Sequence, residues 1–459
     1  MGTTILLDGH HGQARRRAGW EAMSPARVLV LSFFSLIVVG GLLLSLPVAS
    51  STPEPVPFLD ALFTSTSAVC VTGLTVVDTG TRYSLFGQLV ILLLIQFGAL
   101  GILTMATLIA IVLRRRINLR ERLILQEAFS QFKLAGVVDL VRRVFFLAMA
   151  TEGMGAALLA IRFVPQFGWE RGLYFSVFHA VSAFANAGLD LMGHFRSLTG
   201  YVTDPLVSLT IAGLLIVGGI GFTVLLDLGR HRRWRDLSLH SKLALTVTGI
   251  LLGGGTLLIL LAEWNNPATL GGLSWPAKLL AAFFQSATAR TAGFNTVDIG
   301  RLHQGTQFLL IILMFIGASP ASTGGGIKTT TAGALAVQVA SVVQGRPEAH
   351  LFGRRLCRET TDRALAVAAL SLLLVVGVTV LMSFTEHFGL LRILFEATSA
   401  FGTVGLSTGI TPYLGWSGKV LLILLMFAGR VGPVTLALAL AAHQHVADVR
   451  LPEDRVMVG

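Results

Sequence analysis

Charge is scarce in this chain of 459 residues: Asp, Glu, Lys and Arg together supply 13%, about half the share of a soluble domain. With 53% hydrophobic residues and a mean hydropathy of +0.75, it reads as a polytopic membrane protein. Cysteine is nearly missing. Cys70 and Cys357 are the two present, one in a glycine-bearing segment and one in a basic loop, which leaves no disulfide framework and no thiolate metal site. His179 has no second His or Cys at ligand spacing and reads as a packed polar contact. Neither an HExxH pattern nor a convergent acid pair is present, which argues against a membrane enzyme.

Glycine, by contrast, is abundant and regularly placed. Four segments share one pattern: Val71-Thr72-Gly73, Asn186-Ala187-Gly188, Thr291-Ala292-Gly293 and Thr403-Val404-Gly405, each followed by Leu or Phe. Ten residues before each glycine stands a Phe, at Phe63, Phe178, Phe283 and Phe395, and successive glycines lie 115, 105 and 112 residues apart. Four copies of one unit are implied. The simplest reason for a fourfold glycine is a ring of backbone loops whose carbonyl oxygens meet a small ligand; close helix packing is the other reading.

Apolar stretches near or above the ~20 residues that span hydrocarbon as helix run over 28–48, 83–113, 205–226, 243–262 and 364–385. Three more contain single charges: 144–161 around Glu152, 308–343 around Lys328 and 420–444 around Arg430. Eight spans result, two per unit. The first has basic residues upstream like a signal peptide, but its 21 apolar residues exceed the ~7 to 15 of a secretory core, so it reads as retained.

Lys and Arg concentrate in alternate connections: four in the N-terminal tail, eight over 114–143, five over 230–242 and five over 346–363, together 22 of 35. These connections, and both termini, are therefore expected on the cytoplasmic side, with the glycine loops outside. The net charge of +11 reports topology and contact with anionic lipid rather than nucleic acid.

Between the spans of every unit lies a segment too short to cross: 58–69, 171–184, 276–289 and 390–401. About 12 residues of helix rise only ~18 Å, so each is expected to enter the membrane part way and return. Non-helical backbone at that depth must line water or an ion path. Helix C-termini aimed at the centre favour a cation there.

The sixth span poses a separate problem, since 38 residues over 306–343 amount to ~57 Å of helix in a core of ~30 Å. Its middle reads Gly317-Ala-Ser-Pro-Ala-Ser-Thr-Gly324-Gly325-Gly326, and proline with three glycines breaks a helix. A broken backbone beneath the third glycine loop is a candidate gate. GGGIKT superficially resembles a phosphate-binding loop, but Ile327 separates glycine from Lys328 and no strand precedes it. A flexible extramembrane linker is the bland reading.

The strings FLDALFTSTSAVCVTGL from Phe58, ARTAGFNT from Ala289, GASPASTGGGIKT from Gly317, FEATSAFGTVGLSTG from Phe395 and GRVGPVTL from Gly429 carry a resemblance to the potassium-translocating subunits of the Trk/Ktr/HKT superfamily. The shorter KtrB-type plan fits best, because only 27 residues precede the first span. The resemblance implies an all-α fold of four repeats of helix, re-entrant pore helix, filter loop and helix around one pseudo-fourfold pore. The corresponding division is a tail over 1–27, pore repeats within 28–113, 114–228, 229–345 and 346–445, and a tail over 446–459.

It further implies that the carbonyls of Val71, Thr72, Asn186, Ala187, Thr291, Ala292, Thr403 and Val404 replace the hydration shell of potassium, with Gly73, Gly188, Gly293 and Gly405 making the turn. Potassium is then the transported ion and sodium a possible companion. Asn186-Ala187 departs most from a Thr-Val-Gly pattern, which softens the expected discrimination against sodium. Gly324, Gly325, Gly326, Lys328 and Arg430 are the implied gate. A charge in the eighth span costs at least ~2.5 to 3.5 kcal/mol on insertion scales, so Arg430 either guards the pore or pairs with Glu152 or Glu396. Glu152 is also a candidate partner for Arg290. Asp78, Asp190 and Asp298 either attract cations to the mouth or cap turns. Implied partners are a second copy in a homodimer and a cytoplasmic ring of nucleotide-binding regulatory subunits (KtrA-like).

Overall fold

A computed structural model describes residues 25–101, 137–346 and 348–440. Residues 1–24 of the expected N-terminal tail, the expected C-terminal tail, most of the basic connection 114–143 and the inner ends of the second and eighth expected spans lie outside the described residues.

The fold is helical. The first quarter contains α1 (Pro25–Leu44), a short α2 (Phe58–Val69) and α3 (Leu85–Leu100); the second contains α4 (Val137–Phe167), α5 (Trp169–Phe184), α6 (Pro205–Ile220) and α7 (Phe222–Arg230). Then follow α8 (Leu239–Glu263), α9 (Trp275–Thr288), α10 (Gln304–Phe315) and α11 (Thr329–Val343). A two-residue hairpin of β1 (His350–Leu351) and β2 (Arg354–Arg355) leads to α12 (Arg358–Thr385), α13 (Leu390–Gly402), α14 (Trp416–Val431) and α15 (Pro433–Leu440).

Helices α1, α4, α8 and α12 are long and apolar enough to cross a membrane, and α6 with α7 forms a bent pair with a 93° turn. Only 22% of the most apolar window of α12 is buried, and Leu373 and Phe384 stand exposed on it, as a lipid-facing surface requires. Side-chain caps start two of the four helices that return from the glycine loops, α6 and α3. Asp204 accepts from the Leu206 and Val207 amides at 3.0 and 3.2 Å, with Pro205 at the first helical position, where the missing N–H costs nothing. Ser84 accepts from Gly87 N at the start of α3.

Packing follows a cyclic order. The short helices α2, α5, α9 and α13 rest against α1, α4, α8 and α12. Each returning helix then packs on the short helix of the next quarter: α3 on α5, α6 on α9, α10 on α13, and α14 back on α2. An ion pair of 2.6 Å between Lys419 on α14 and Asp60 on α2 ties the last quarter to the first. Tyr174 on α5 donates to Gln88 on α3 at 3.1 Å, the corresponding tie between the first and second quarters. Of the four regularly spaced Phe residues, Phe63, Phe178 and Phe395 are fully buried, whereas Phe283 is only half-buried.

Broken helices are more numerous than the sequence suggested. The expected break in the sixth span is present between α10 and α11, but α6 also ends at Gly221 (φ 100°), α14 at Gly432 (φ 93°) and α3 at Gly101 (φ 82°). Left-handed backbone of this kind is open to glycine at little steric cost. The first glycine of each local Gly-x-x-Gly is equally required, for space. A side chain at Gly98, Gly218 or Gly429 would strike the carbonyl of Val69, Phe184 or Phe401 at the end of a short helix.

Candidate functional site

The four short helices end at the four glycine segments, and these segments meet. A Cβ on Gly73 would lie 2.5 Å from Ala187 O, one on Gly188 2.6 Å from Ala292 O, and one on Gly293 2.6 Å from Val404 O; one on Gly405 would collide with Thr72 O. The contact order 73 to 188 to 293 to 405 to 73 is a closed ring. No side chain fits where each backbone abuts the next.

The loops are strained and held. Val71 (φ 57°), Asn186 (59°), Thr291 (73°) and Thr403 (49°) all sit in the left-handed region, which is a genuine outlier for β-branched residues and costs about 1 to 3 kcal/mol at each. Compensation comes from the short helices. Thr72 N, Ala187 N and Val404 N donate to Ser67 O, Ser182 O and Ser399 O at 2.7 to 2.8 Å, and Ala292 N donates to Thr288 O at 3.0 Å. Hydroxyls add a second tie. Ser67 accepts from Gly73 N at 2.9 Å and Ser399 from Gly405 N at 3.1 Å, while Ser182 donates to Leu189 O at 2.7 Å and Thr288 to Phe294 O at 2.6 Å. Sequence reasoning missed these hydroxyls. Their signal was available, since Ser67, Ser182 and Ser399 each stand six residues before the glycine and Thr288 stands five before.

Val71, Thr72, Asn186, Ala187, Thr291, Ala292, Thr403 and Val404 are all fully buried. Among the hydrogen bonds of the described residues, none is accepted by any of their eight carbonyls. Buried carbonyls are ordinarily paired, so eight together around one ring without a hydrogen bond among the described residues stand out. The Asn186 side chain is anchored at the ring: its nitrogen faces the Ala183 and Leu215 carbonyls and its oxygen accepts from Thr291 Oγ1, each at 3.1 Å.

On one side the ring opens into a cavity of about 680 Å³ lined by all four glycines together with Asp190, Asn295, Asp298 and Ser407. Asp78 does not line it. Its carboxylate accepts from Thr81 N and Oγ1 at 2.8 Å each and from Phe195 N at 2.7 Å, so capping is its role. Asp190 and Asp298 each accept a backbone amide at 2.9 Å while lining the cavity.

Directly against the other side lies the segment between α10 and α11. Gly317 N donates to Ile327 O at 2.8 Å, closing it into a loop. Gly325 N donates to Thr403 Oγ1 at 2.9 Å, a Cβ on Gly324 would strike Thr291 Oγ1, and one on Gly326 (φ +68°) would lie 3.2 Å from Gly402 Cα. Lys328 Nζ turns back to Gly324 O at 2.7 Å. The loop is also bonded to the bent second quarter: Ser319 N to Gly219 O at 3.0 Å, Thr323 N to Gly218 O at 3.3 Å, and Phe222 N to Ala321 O at 2.8 Å.

Arg430 spans this loop and the first quarter. Its guanidinium donates to Thr323 O, to Gly98 O and to Ala99 O. The expected alternative of an ion pair does not form. Glu396 is instead occupied by Ser407, Thr408 and Thr411, and Glu152 by Gln96 Nε2 at 3.2 and 3.3 Å. The expected pairing of Glu152 with Arg290 is likewise absent. Arg290 donates to Thr248 Oγ1 at 3.2 Å, because α9 packs on α8, which carries Thr248, while Glu152 on α4 faces α3. His179 is buried with Nδ1 2.7 Å from Phe175 O, which leaves it a packing role. Glu263 and Glu386 went unnoticed in the sequence, yet each gathers a loop. Glu263 accepts from Asn266, Thr269 and His303 N, and Glu386 from Gly415 N and Gly418 N.

Known proteins show the same arrangement of chain. A family model described as cation transport protein, TrkH, matches residues 4–447. Ktr system potassium uptake protein B of Bacillus subtilis is 45% identical over 96% of this chain and 98% of its own length. The potassium/sodium uptake protein NtpJ of Enterococcus hirae is 39% identical, again over 96% and 98%. Among solved structures, the potassium transporter TrkH from Vibrio parahaemolyticus superposes with a TM-score of 0.74 over 93% of this chain and 87% of that one, at 19% identity, a likeness of fold.

Proposed function

This chain belongs to the TrkH family of cation transport proteins, and we propose that it carries potassium into the cell through a pore on the axis of the four glycine loops. One observation carries the reading: eight fully buried carbonyls on four converging strands accept no hydrogen bond among the described residues. An ion that sheds water needs oxygen dipoles in return, and a ring of carbonyls supplies them without a fixed counter-charge. The C-terminal ends of α2, α5, α9 and α13 add partial negative charge from four directions.

In this reading the four quarters are pore repeats with eight spans, and the cavity above the ring is the outer mouth. A cation gathers there beside Asp190 and Asp298, sheds water at the carbonyls of Val71 to Val404, and then meets the loop over 317–328. That loop blocks the inner half of the path, with Gly324 and Gly325 against the Thr291 and Thr403 hydroxyls. Arg430 holds it shut in two ways. Its guanidinium fastens Thr323 to the first quarter, and its positive charge repels a cation leaving the ring. Opening requires release of those carbonyls. The ring has one glycine per quarter and no longer continuation, so it offers few stacked sites.

A sodium-preferring or nonselective pore is the second reading. It is favoured by Asn186-Ala187 in the second loop and by a 39% identical relative named for both ions. We further infer a homodimer, both termini in the cytoplasm, and control by a cytoplasmic ring of nucleotide-binding subunits; the names of Ktr-system relatives support a multi-component system. The test is growth at low potassium of cells lacking their own uptake systems, with rubidium and sodium uptake measured side by side, with and without a regulatory subunit. Rescue with rubidium preferred supports the potassium reading; sodium uptake without rubidium uptake supports the second; no flux of either with the partner supplied overturns both.

A further inference from the structure

We propose that the surface joining the α7–α8 elbow to the β1–β2 hairpin is a binding site for the headgroups of anionic phospholipids. Two connections distant in sequence meet there through one aromatic contact. The rings of Trp234 and Phe352 stand edge to face with centroids 6.2 Å apart, and both remain largely open, at 47% and 43% exposure. Around them Arg232, Arg233, Arg235 and Arg354 are exposed. Among the described residues no carboxylate pairs with any of the four, whereas Arg355 is already engaged by Glu348 at 2.5 Å.

Lipid, rather than a soluble protein, is the occupant because of where the patch lies. The 93° bend after Ile220 turns α7 away from the direction of α6, and α7 carries the chain from beside the 317–328 loop to the elbow, with Leu228 exposed near its end. Trp234 then stands five residues before Leu239, where the spanning α8 begins. On the other side α11 ends in exposed Val339, Val342 and Val343, an apolar surface that suits lipid tails, and the hairpin follows within seven residues. Apolar helix ends, an aromatic pair and then arginines form the succession expected at the hydrocarbon, interface and headgroup levels in turn.

The patch is tied to the loop beneath the glycine ring. Asp227 on α7 accepts from Ser238 N and Oγ at 3.1 and 2.8 Å and from Ser241 Oγ at 2.5 Å, which locks the elbow, and the first amide of α7 holds Ala321 O.

The test measures lipid, not transport, so its outcome is independent of the proposed potassium pore. The purified full chain is equilibrated with vesicles of phosphatidylcholine and phosphatidylglycerol, and retained lipids are counted by native mass spectrometry. Wild type is expected to retain phosphatidylglycerol over phosphatidylcholine and to lose that preference at high salt. Combined Arg232→Gln, Arg233→Gln and Arg354→Gln should reduce the preference at least tenfold, each surface charge being worth about fivefold, while Arg→Lys at the same positions retains it. If the Gln variant does not fold, Trp234→Leu in the wild-type background, with quenching of tryptophan fluorescence by brominated phosphatidylglycerol, reports on the same surface and should lose quenching relative to wild type. Equal phosphatidylglycerol retention by wild type and the Gln variant overturns the proposal. So does retention that is unchanged at high salt, unchanged quenching in Trp234→Leu, or capture of an acidic protein by the patch with lipid retention unaffected.

Discussion

At the scale of single residues, the ring depends on side chains that are missing and on hydroxyls that are present. A side chain at Gly405 would run into Thr72 O and the Gly73 backbone, so Gly405→Ser is expected to distort the ring. The outcome should be a lower rubidium-to-sodium uptake ratio with protein still in the membrane; an unchanged ratio would count against a carbonyl filter. Ser399 bonds Gly405 N through its side chain and Val404 N through its carbonyl. Removal of the hydroxyl in Ser399→Ala orphans one buried amide, at about 1 to 3 kcal/mol, and should lower both melting temperature and ion discrimination. Arg430 contacts carbonyls alone among its described hydrogen-bond partners. Arg430→Ala therefore frees the loop without stranding a buried carboxylate, and rubidium flux into proteoliposomes should rise in the absence of any regulatory subunit. The glycines were legible because a left-handed turn leaves a compositional mark, repeated four times. The partners of Glu152, Arg290 and Arg430 were not, because which helix faces which is absent from local sequence.

At the scale of elements, the decisive feature is the interruption of returning helices. Pro320 and three consecutive glycines announced the break between α10 and α11. The breaks at Gly221 and Gly432 were not announced, since single glycines are common in apolar membrane helices. Gly221 is the informative one: at φ 100° it turns the chain so that Phe222 N reaches Ala321 O, and a Cβ there would lie 2.5 Å from Pro320 O. Gly221→Ala should cost at least about 1 to 2 kcal/mol in backbone conformation, weaken the grip of α7 on the loop, and raise partner-independent rubidium flux less than Arg430→Ala does. A flux equal to wild type, at equal expression, would separate α7 from control of the loop.

For the whole molecule, closure is the issue, because the last quarter must find the first across more than 350 residues of chain. Lys419 and Asp60 make that contact at 2.6 Å with side chains only 17% and 16% exposed. Lys419→Met and Asp60→Asn should each lower thermal stability. In a double-mutant cycle the pair should show a coupling of about 0.5 to 3 kcal/mol; additive effects would place the seam elsewhere, in the packing of α14 on α2.

Composition and spacing by themselves determined that the chain is a helical membrane protein with four glycine turns and a helix broken between α10 and α11, since hydrocarbon demands long apolar runs, and proline with consecutive glycines interrupts a helix. Tertiary structure alone decided the cyclic order of the turns, the carbonyl clamp of Arg430, the side-chain ties of Ser67, Ser182, Thr288 and Ser399, and the meeting of Trp234 with Phe352. Each of these is a contact between surfaces far apart in the chain, set by how whole helices pack rather than by any preference of the residues that touch.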